Sequence, residues 1–196
     1  MSVIERLLRR DLDGGGGHLG GLVVERMNRR DLRRGVMAIE AVSYPKPWSQ
    51  GVFESELAQV RSGTRQYLVA RSAEGRGRGH ILGYAGLWFN LDEAHVTNVA
   101  VEPSEQRAGV ATKLLLFLAE AAIDRGCTAW TLEVRVSSTG AQELYRRFGF
   151  NPAGVRARYY ENTEDAIVMW CNDIQSSEYR ALLDGIRADA DRRRPS

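Results

Sequence analysis

Residues 96–136, VTNVAVEPSEQRAGVATKLLLFLAEAAIDRGCTAWTLEVRV, constrain the fold more than any other stretch of this chain. An apolar strand pattern ends at Pro103. A charged turn leads into small residues and a leucine-rich helix over roughly residues 108–125, and AWTLEVRV then reads as a second strand. Strand, helix and strand in that order make a crossover that joins parallel strands with a right-handed sense. On both sides of it the pattern changes to hairpins. QYLVARS pairs with HILGYAGLWF around the loop AEGRGRG, and NPAGVRARYY pairs with EDAIVMWCN around a turn at residues 161–164. The predicted order is β-α-α-β-β-β-α-β-α-β-β. That is a mixed α/β (α+β) architecture: a mostly antiparallel sheet with one central parallel βαβ unit, flanked by helices. It is not a doubly wound nucleotide fold.

The remaining segments fit around this centre. GLVVERM opens the folded part as a strand. NRRDLRRGVMAIEAVSY reads as a helix capped by Asn28, with Leu32, Val36, Ile39 and Ala41 or Val42 on one face. PKPW breaks it, and Ser49 caps a second helix ending near Gly63. Residues 1–21 read as a flexible extension with a glycine run at 14–17, residues 22–173 as the folded domain, and residues 174–196 as a charged helical tail. The 196 residues suit one domain, and a net charge of +2 gives no strong nucleic-acid signal. Cys127 and Cys171 form no metal spacing and no disulfide framework, which suits a reducing, cytoplasmic setting. The N-terminus lacks an apolar signal core, and no apolar run approaches the ~20 residues of a membrane span. Oligomeric state is not legible.

The run of small residues before the long helix poses a chemical question. A helix start exposes unpaired N–H groups and a partial positive charge, so it accepts anions, and small residues let a phosphate come close to the backbone. The stretch lacks the Gly-Lys-Ser/Thr ending of a nucleotide-hydrolase loop and the glycines of a dinucleotide fingerprint. On these residues alone, an ordinary tight turn and an anion loop are both open.

The combination NVAVEPSEQRAGVATKLL, LEVRVSSTGAQELYRRFGF and YY…EDAIVM resembles the GNAT superfamily of acetyl-CoA-dependent N-acetyltransferases over roughly residues 22–173. Within it the likeness is to the RimI-like ribosomal-protein alanine N-acetyltransferases. The resemblance implies that the pyrophosphate of acetyl-CoA lies on the backbone of Arg107, Ala108, Gly109, Val110, Ala111 and Thr112. It implies that the pantetheine arm pairs with the backbone of Val99, Ala100 and Val101, where the two parallel strands splay apart. It also implies an acceptor that is a peptide or protein N-terminus, an alanine of a ribosomal protein in particular, with direct attack on the thioester and no metal.

Acetyl transfer to an amine requires that the amine lose a proton, that the oxyanion be stabilised and that the leaving thiolate be protonated. Glu133 alternates onto the polar side of its strand with Thr131 and Arg135, opposite Trp130, Leu132, Val134 and Val136. Periodicity alone reads it as a polar-face residue paired with an arginine, whereas the resemblance makes it the proton acceptor. Tyr145 shares a helical stripe with Ala141, Leu144 and Phe148. That is a core tyrosine on pattern and the proton donor to the thiolate by resemblance. Ser138 stands where the group carries a CoA-contacting Asn, so this contact has a shorter reach; the neighbouring Ser137 is an alternative. Trp48 either walls the peptide site or plugs a Pro-set turn. Tyr159 and Tyr160 line the acceptor entrance or fill a strand. His95 reads as an ordinary strand histidine, Cys127 as a packing residue, and Arg76 and Arg78 as a hairpin tip.

Overall fold

The computed structural model describes residues 22–72 and 79–192. The expectations for the N-terminal extension, for Arg76 and Arg78 and for the last four residues lie outside these. Seven strands form one sheet in the order β1-β2-β3-β4-β5-β7-β6: β1 (Leu22–Arg26), β2 (Arg65–Ser72), β3 (Ile81–Asn90), β4 (Glu93–Val101), β5 (Ala129–Arg135), β6 (Asn151–Tyr160) and β7 (Glu164–Cys171). Every neighbouring pair is antiparallel except β4 with β5. The parallel pair is joined by α4 (Val110–Asp124), the predicted crossover.

Helices cover both faces. On one, α4 and α6 (Ser177–Arg192) pack on Leu68, Leu87, Trp130, Leu132 and Met169. α5 (Thr139–Arg147) adds Tyr145 to the same core. On the other face lie α1 (Arg29–Asp31), a π-type turn (Leu32–Val36), α2 (Met37–Ser43) and α3 (Gln50–Gln59), closing over Tyr67, Val69, Ile81 and Tyr84.

Asn28 caps α1 as its sequence predicts: its side chain accepts from the Arg30 amide while Asp31 bonds back to the Asn28 amide. The single helix expected after it is interrupted by the π-type turn. Its Gly35 leaves helical geometry, at φ 164° and ψ −34°. The inward face still runs at helical spacing through Leu32, Val36, Ile39 and Glu40, so Ala41 and Val42 fall outside it and are exposed, while Glu40 is 2% exposed. Its carboxylate is satisfied by the Trp48 amide at 2.6 Å and by the Tyr84 hydroxyl. The C-terminal segment also departs from its reading as a charged tail. α6 buries Tyr179, Leu183, Ile186 and Ala190 in the main core, and Arg187 bonds Glu120 of α4 at 2.8 Å.

Candidate active site

The site is a gap in the sheet. β4 and β5 pair over only three rungs: Glu93 with Ala129, Ala94 with Trp130, and His95 with Thr131. Beyond His95 they part. β4 stays on β3 as far as Val101, and β5 stays on β7 as far as Arg135. The parting coincides with a bulge in β4. Gly86 opposes Asn98 and Leu87 opposes Val96, so Thr97 is the extra residue. A bulge bends its strand and shifts its parity. Ala94 and Val96 face the α4 core before it, while Ala100 faces the opposite core after it. Gly86 permits this crowding. A Cβ there would lie 2.3 Å from the Tyr67 ring and 2.6 Å from Thr97 Oγ1.

A strand that loses its neighbour leaves backbone groups to be satisfied otherwise. Tyrosines do so on each rim. Tyr44 donates to the Val99 carbonyl of β4 at 2.9 Å, and Tyr160 donates to the Glu133 carbonyl of β5 at 3.0 Å. The carbonyl of Val99, expected to be open for pairing, therefore already has a donor. Tyr44 reaches it because the residue before a proline is driven out of the helical region; it ends α2 in an extended conformation, φ −130° and ψ 136°. Tyr160 reaches inward because β6 slips register against β7 between Arg156 and Tyr160.

At the mouth of the gap, β4 passes through a short 3-10 turn (Pro103–Glu105) into the small-residue loop. Arg107 and Gly109 both have positive φ, 68° and 87°. Gly109 is the N-cap of α4, and a Cβ built on it meets nothing within 4 Å. No side chain caps the helix, and no acidic residue lies in its first turn. The first-turn amides thus have no side-chain partner at the cap, the arrangement that an anion requires. Arg107 and Ala108 are exposed, Ala111 is half-buried, and Val110 and Thr112 are buried beneath the loop. Lys113 is buried too, with Nζ on the Leu22 carbonyl at 2.8 Å.

Glu133 lies on the α1–α3 side of β5, with its side chain 8% exposed. One oxygen is 3.1 Å from His95 Nε2 and the other 3.2 Å from an Arg156 guanidinium nitrogen. The arginine neighbour expected on periodicity is therefore Arg156 of β6. Arg135 instead binds Glu161 and Glu164 and stacks on Tyr160 at 4.1 Å. The hydrogen bond from His95 is the main reason the Glu133 carboxyl sits below the usual range; burial opposes it, and electrostatic attraction to His95 and Arg156 adds to it.

Tyr145 enters from the other face. Its ring packs on Phe150 at 5.8 Å, and burial alone pushes its phenol up to about 12. It lies within electrostatic reach of both Tyr44 and Tyr160. Tyr145 thus belongs to the core on the α4 side of the sheet, near the two tyrosines whose hydroxyls rest on Val99 and Glu133. Ser138 is the N-cap of α5 and makes no capping bond with its side chain. Ser137 is tied to Glu164, its amide at 2.9 Å, which leaves Ser138 the less engaged of the two serines. Trp48 stacks edge-on against Phe53 at 5.4 Å, fixing the turn below Tyr44. Cys127 is buried and its thiol is raised by that burial, as befits a packing residue. The sequence reading missed Tyr44 and Arg156 and gave His95 no role. The doubled polar pair Thr97–Asn98 breaks the strand alternation and signals the bulge. Among the described residues no His, Cys, Asp and Glu cluster has metal-site geometry, and no helix is long and apolar enough to cross a membrane.

The acetyltransferase (GNAT) family model matches residues 33–150. A Bacillus subtilis (strain 168) homologue is 37% identical over 136 residues, covering 69% of this chain and 85% of its own. The Escherichia coli (strain K12) ribosomal protein bS18-alanine N-acetyltransferase is 36% identical over 134 residues, covering 67% of this chain and 84% of its own. The crystal structure of the ribosomal-protein-S18-alanine N-acetyltransferase from Escherichia coli superposes with a TM-score of 0.67 and 30% identity, covering 80% of this chain and 97% of that one. The family match spans the bulged strand, the small-residue loop, α4, β5 and α5, and so takes in the gap itself: the chain belongs to the GNAT family of acetyltransferases.

Proposed function

We propose that this protein transfers the acetyl group of acetyl-CoA to the α-amino group of a protein N-terminus, and that the acceptor is an alanine-starting ribosomal protein. The observation that carries the reading is the strand gap, with an anion loop at its mouth and an ionised carboxylate on one wall. The naming of the relatives as ribosomal protein bS18-alanine N-acetyltransferases supports the choice of acceptor. That acceptor puts the reaction in the cytoplasm.

Acetyl-CoA fits the residues present. The open, positive-φ cradle at Gly109, uncapped and free of acidic side chains, suits the pyrophosphate. Arg107, Ala108, Val110, Ala111 and Thr112 complete the loop. The edge of Val99, Ala100 and Val101 that has parted from β5 suits the pantetheine arm, with Tyr44 on the Val99 carbonyl and the hydroxyl of Ser138 as a further contact. The co-substrate supplies an activated acyl group. This chain's residues do the rest. Glu133 takes the proton lost by the attacking nitrogen, directly or through a water. Tyr145 donates to the sulfur as its bond to the acyl carbon breaks. The nitrogen gains the acyl group, the sulfur gains a proton, and no acyl-enzyme forms.

The test is a competition among amines. Purified protein and acetyl-CoA are given an alanine-starting ribosomal peptide, the same peptide with a blocked N-terminus and an internal lysine, and a polyamine. Mass spectrometry should find the acetyl group on the free N-terminus. Acetylation confined to the lysine or the polyamine would overturn the choice of acceptor.

A further inference from the structure

We propose that His95 is the positioning residue for Glu133. It clasps the last rung before the gap and fixes the carboxylate that faces the acceptor. The inference rests on the reading of Glu133 as proton acceptor.

His95 stands opposite Thr131 in the final parallel pair, and Glu133 follows two residues later on the same face. The imidazole spans both. Nε2 is 3.1 Å from Glu133 Oε2, and Nδ1 is 2.8 Å from Thr131 Oγ1. A carboxylate only accepts, so Nε2 carries the proton; Nδ1 then accepts from the Thr131 hydroxyl. The ring is held edge-on by Trp88, its partner on β3, at 6.3 Å, and Arg65 of β2 stacks on Trp88 at 5.1 Å. The charged groups around the imidazole are therefore Glu133 beside it, Arg156 of β6 across Glu133, and Arg65 behind Trp88.

Two groups hold Glu133, and they are not equal. The Arg156 side chain is 56% exposed, and exposed ion pairs hold weakly. The His95 side chain is 27% exposed and locked at both ring nitrogens. His95 therefore sets the direction of the carboxylate.

The experiment compares His95→Gln, His95→Leu, Glu133→Gln and the double variant His95→Leu/Glu133→Gln. Glutamine supplies an N–H for Glu133 and an oxygen for Thr131; leucine supplies neither. His95→Leu should lose about 10- to 100-fold in kcat, the scale of a misplaced catalytic group, with KM for acetyl-CoA little changed. His95→Gln should regain most of that loss. The double variant should be no slower than Glu133→Gln, because the two residues act as one unit. Wild-type kcat in His95→Leu beside an impaired Glu133→Gln would overturn this inference and leave the proposed function standing. So would losses that multiply in the double variant, or a His95→Gln protein as slow as His95→Leu. Wild-type turnover in Glu133→Gln would overturn the role of Glu133 itself, and this inference with it.

Discussion

Tyr145 meets the gap from the α4 side of the sheet, and its burial defines what it can do there. A phenol held at about 12 is fully protonated at neutral pH, so the donor is present on every molecule. The proposed contribution is a hydrogen bond that strengthens as negative charge builds on the sulfur and ends in transfer of the proton as the bond to the acyl carbon breaks. Tyr145→Phe removes the donor and keeps the ring against Phe150. It should change stability by only about 1 kcal/mol, leave acetyl-CoA binding nearly unaltered, and lower turnover about 100-fold. Steady-state kinetics with the natural thioester and with an analogue of more acidic leaving thiol check this, since the analogue should lose less. Full turnover in a folded Tyr145→Phe protein would make the residue a core tyrosine. Glu133 shows the complementary compromise. The hydrogen bond that orients it also makes it a weaker base than a free carboxylate, so it works best on amines already close to losing their proton.

The proposed work of the loop before α4 is done by an element, through backbone rather than side chains. Its prediction follows from what a side chain would do at Gly109, where space is open and φ is positive. Gly109→Glu places a like charge in the proposed pyrophosphate site and strains the backbone at φ 87°. Acetyl-CoA should raise the melting temperature of the wild type by mass action, and this rise should vanish in the variant. A rise equal to wild type, measured by thermal shift, would move the cofactor away from this loop. The loop was legible in the sequence because its meaning lies in residue type: small residues between a proline-closed strand and a leucine helix. The element order was legible for the same reason, since periods of two and 3.6 separate strands from helices. The gap was legible only through resemblance. Its immediate cause, the Thr97 bulge, shows in the sequence as nothing more than two adjacent polar residues. Glu40 was missed because it occupies an inward position of the stripe, four residues after Val36, where the pattern calls for an apolar side chain. Tyr44 and Arg156 were missed because they reach the gap from separate elements, α2 and β6. Only the packing of both around β4 and β5 brings them together.

On the scale of the whole molecule, the sheet is clamped between two unequal cores. The larger is closed by a helix that composition alone reads as solvated. α6 is charged on most of its surface, and its apolar side chains are spaced widely enough to disappear in an average. Three of them nonetheless recur at helical spacing, Tyr179, Leu183 and Ile186, and all are buried. They lie in one cluster with Leu118, Ala122, Trp130 and Met169, so α6 is continuous with the core beneath the gap. The helix therefore bears on the site indirectly, by holding α4, whose first turn forms the loop. Two substitutions separate the apolar stripe from the charge. Leu183 is 2% exposed, and Leu183→Ala should cost roughly 2–5 kcal/mol through lost transfer energy and the cavity left behind. Arg187 is 39% exposed beside Glu120, and Arg187→Ala should cost less than about 1 kcal/mol, as exposed pairs do. Each kcal/mol shifts the melting temperature of a chain this size by about 2–4 °C. Leu183→Ala should therefore melt about 5–15 °C below wild type, while Arg187→Ala stays within a few degrees. Acetyl-CoA, which binds only the folded state, should recover part of the Leu183→Ala deficit. Equal, small shifts in both variants would mean that α6 lies on the molecule as a detachable tail. A large shift confined to Leu183 would make it a wall of the same core that supports the gap.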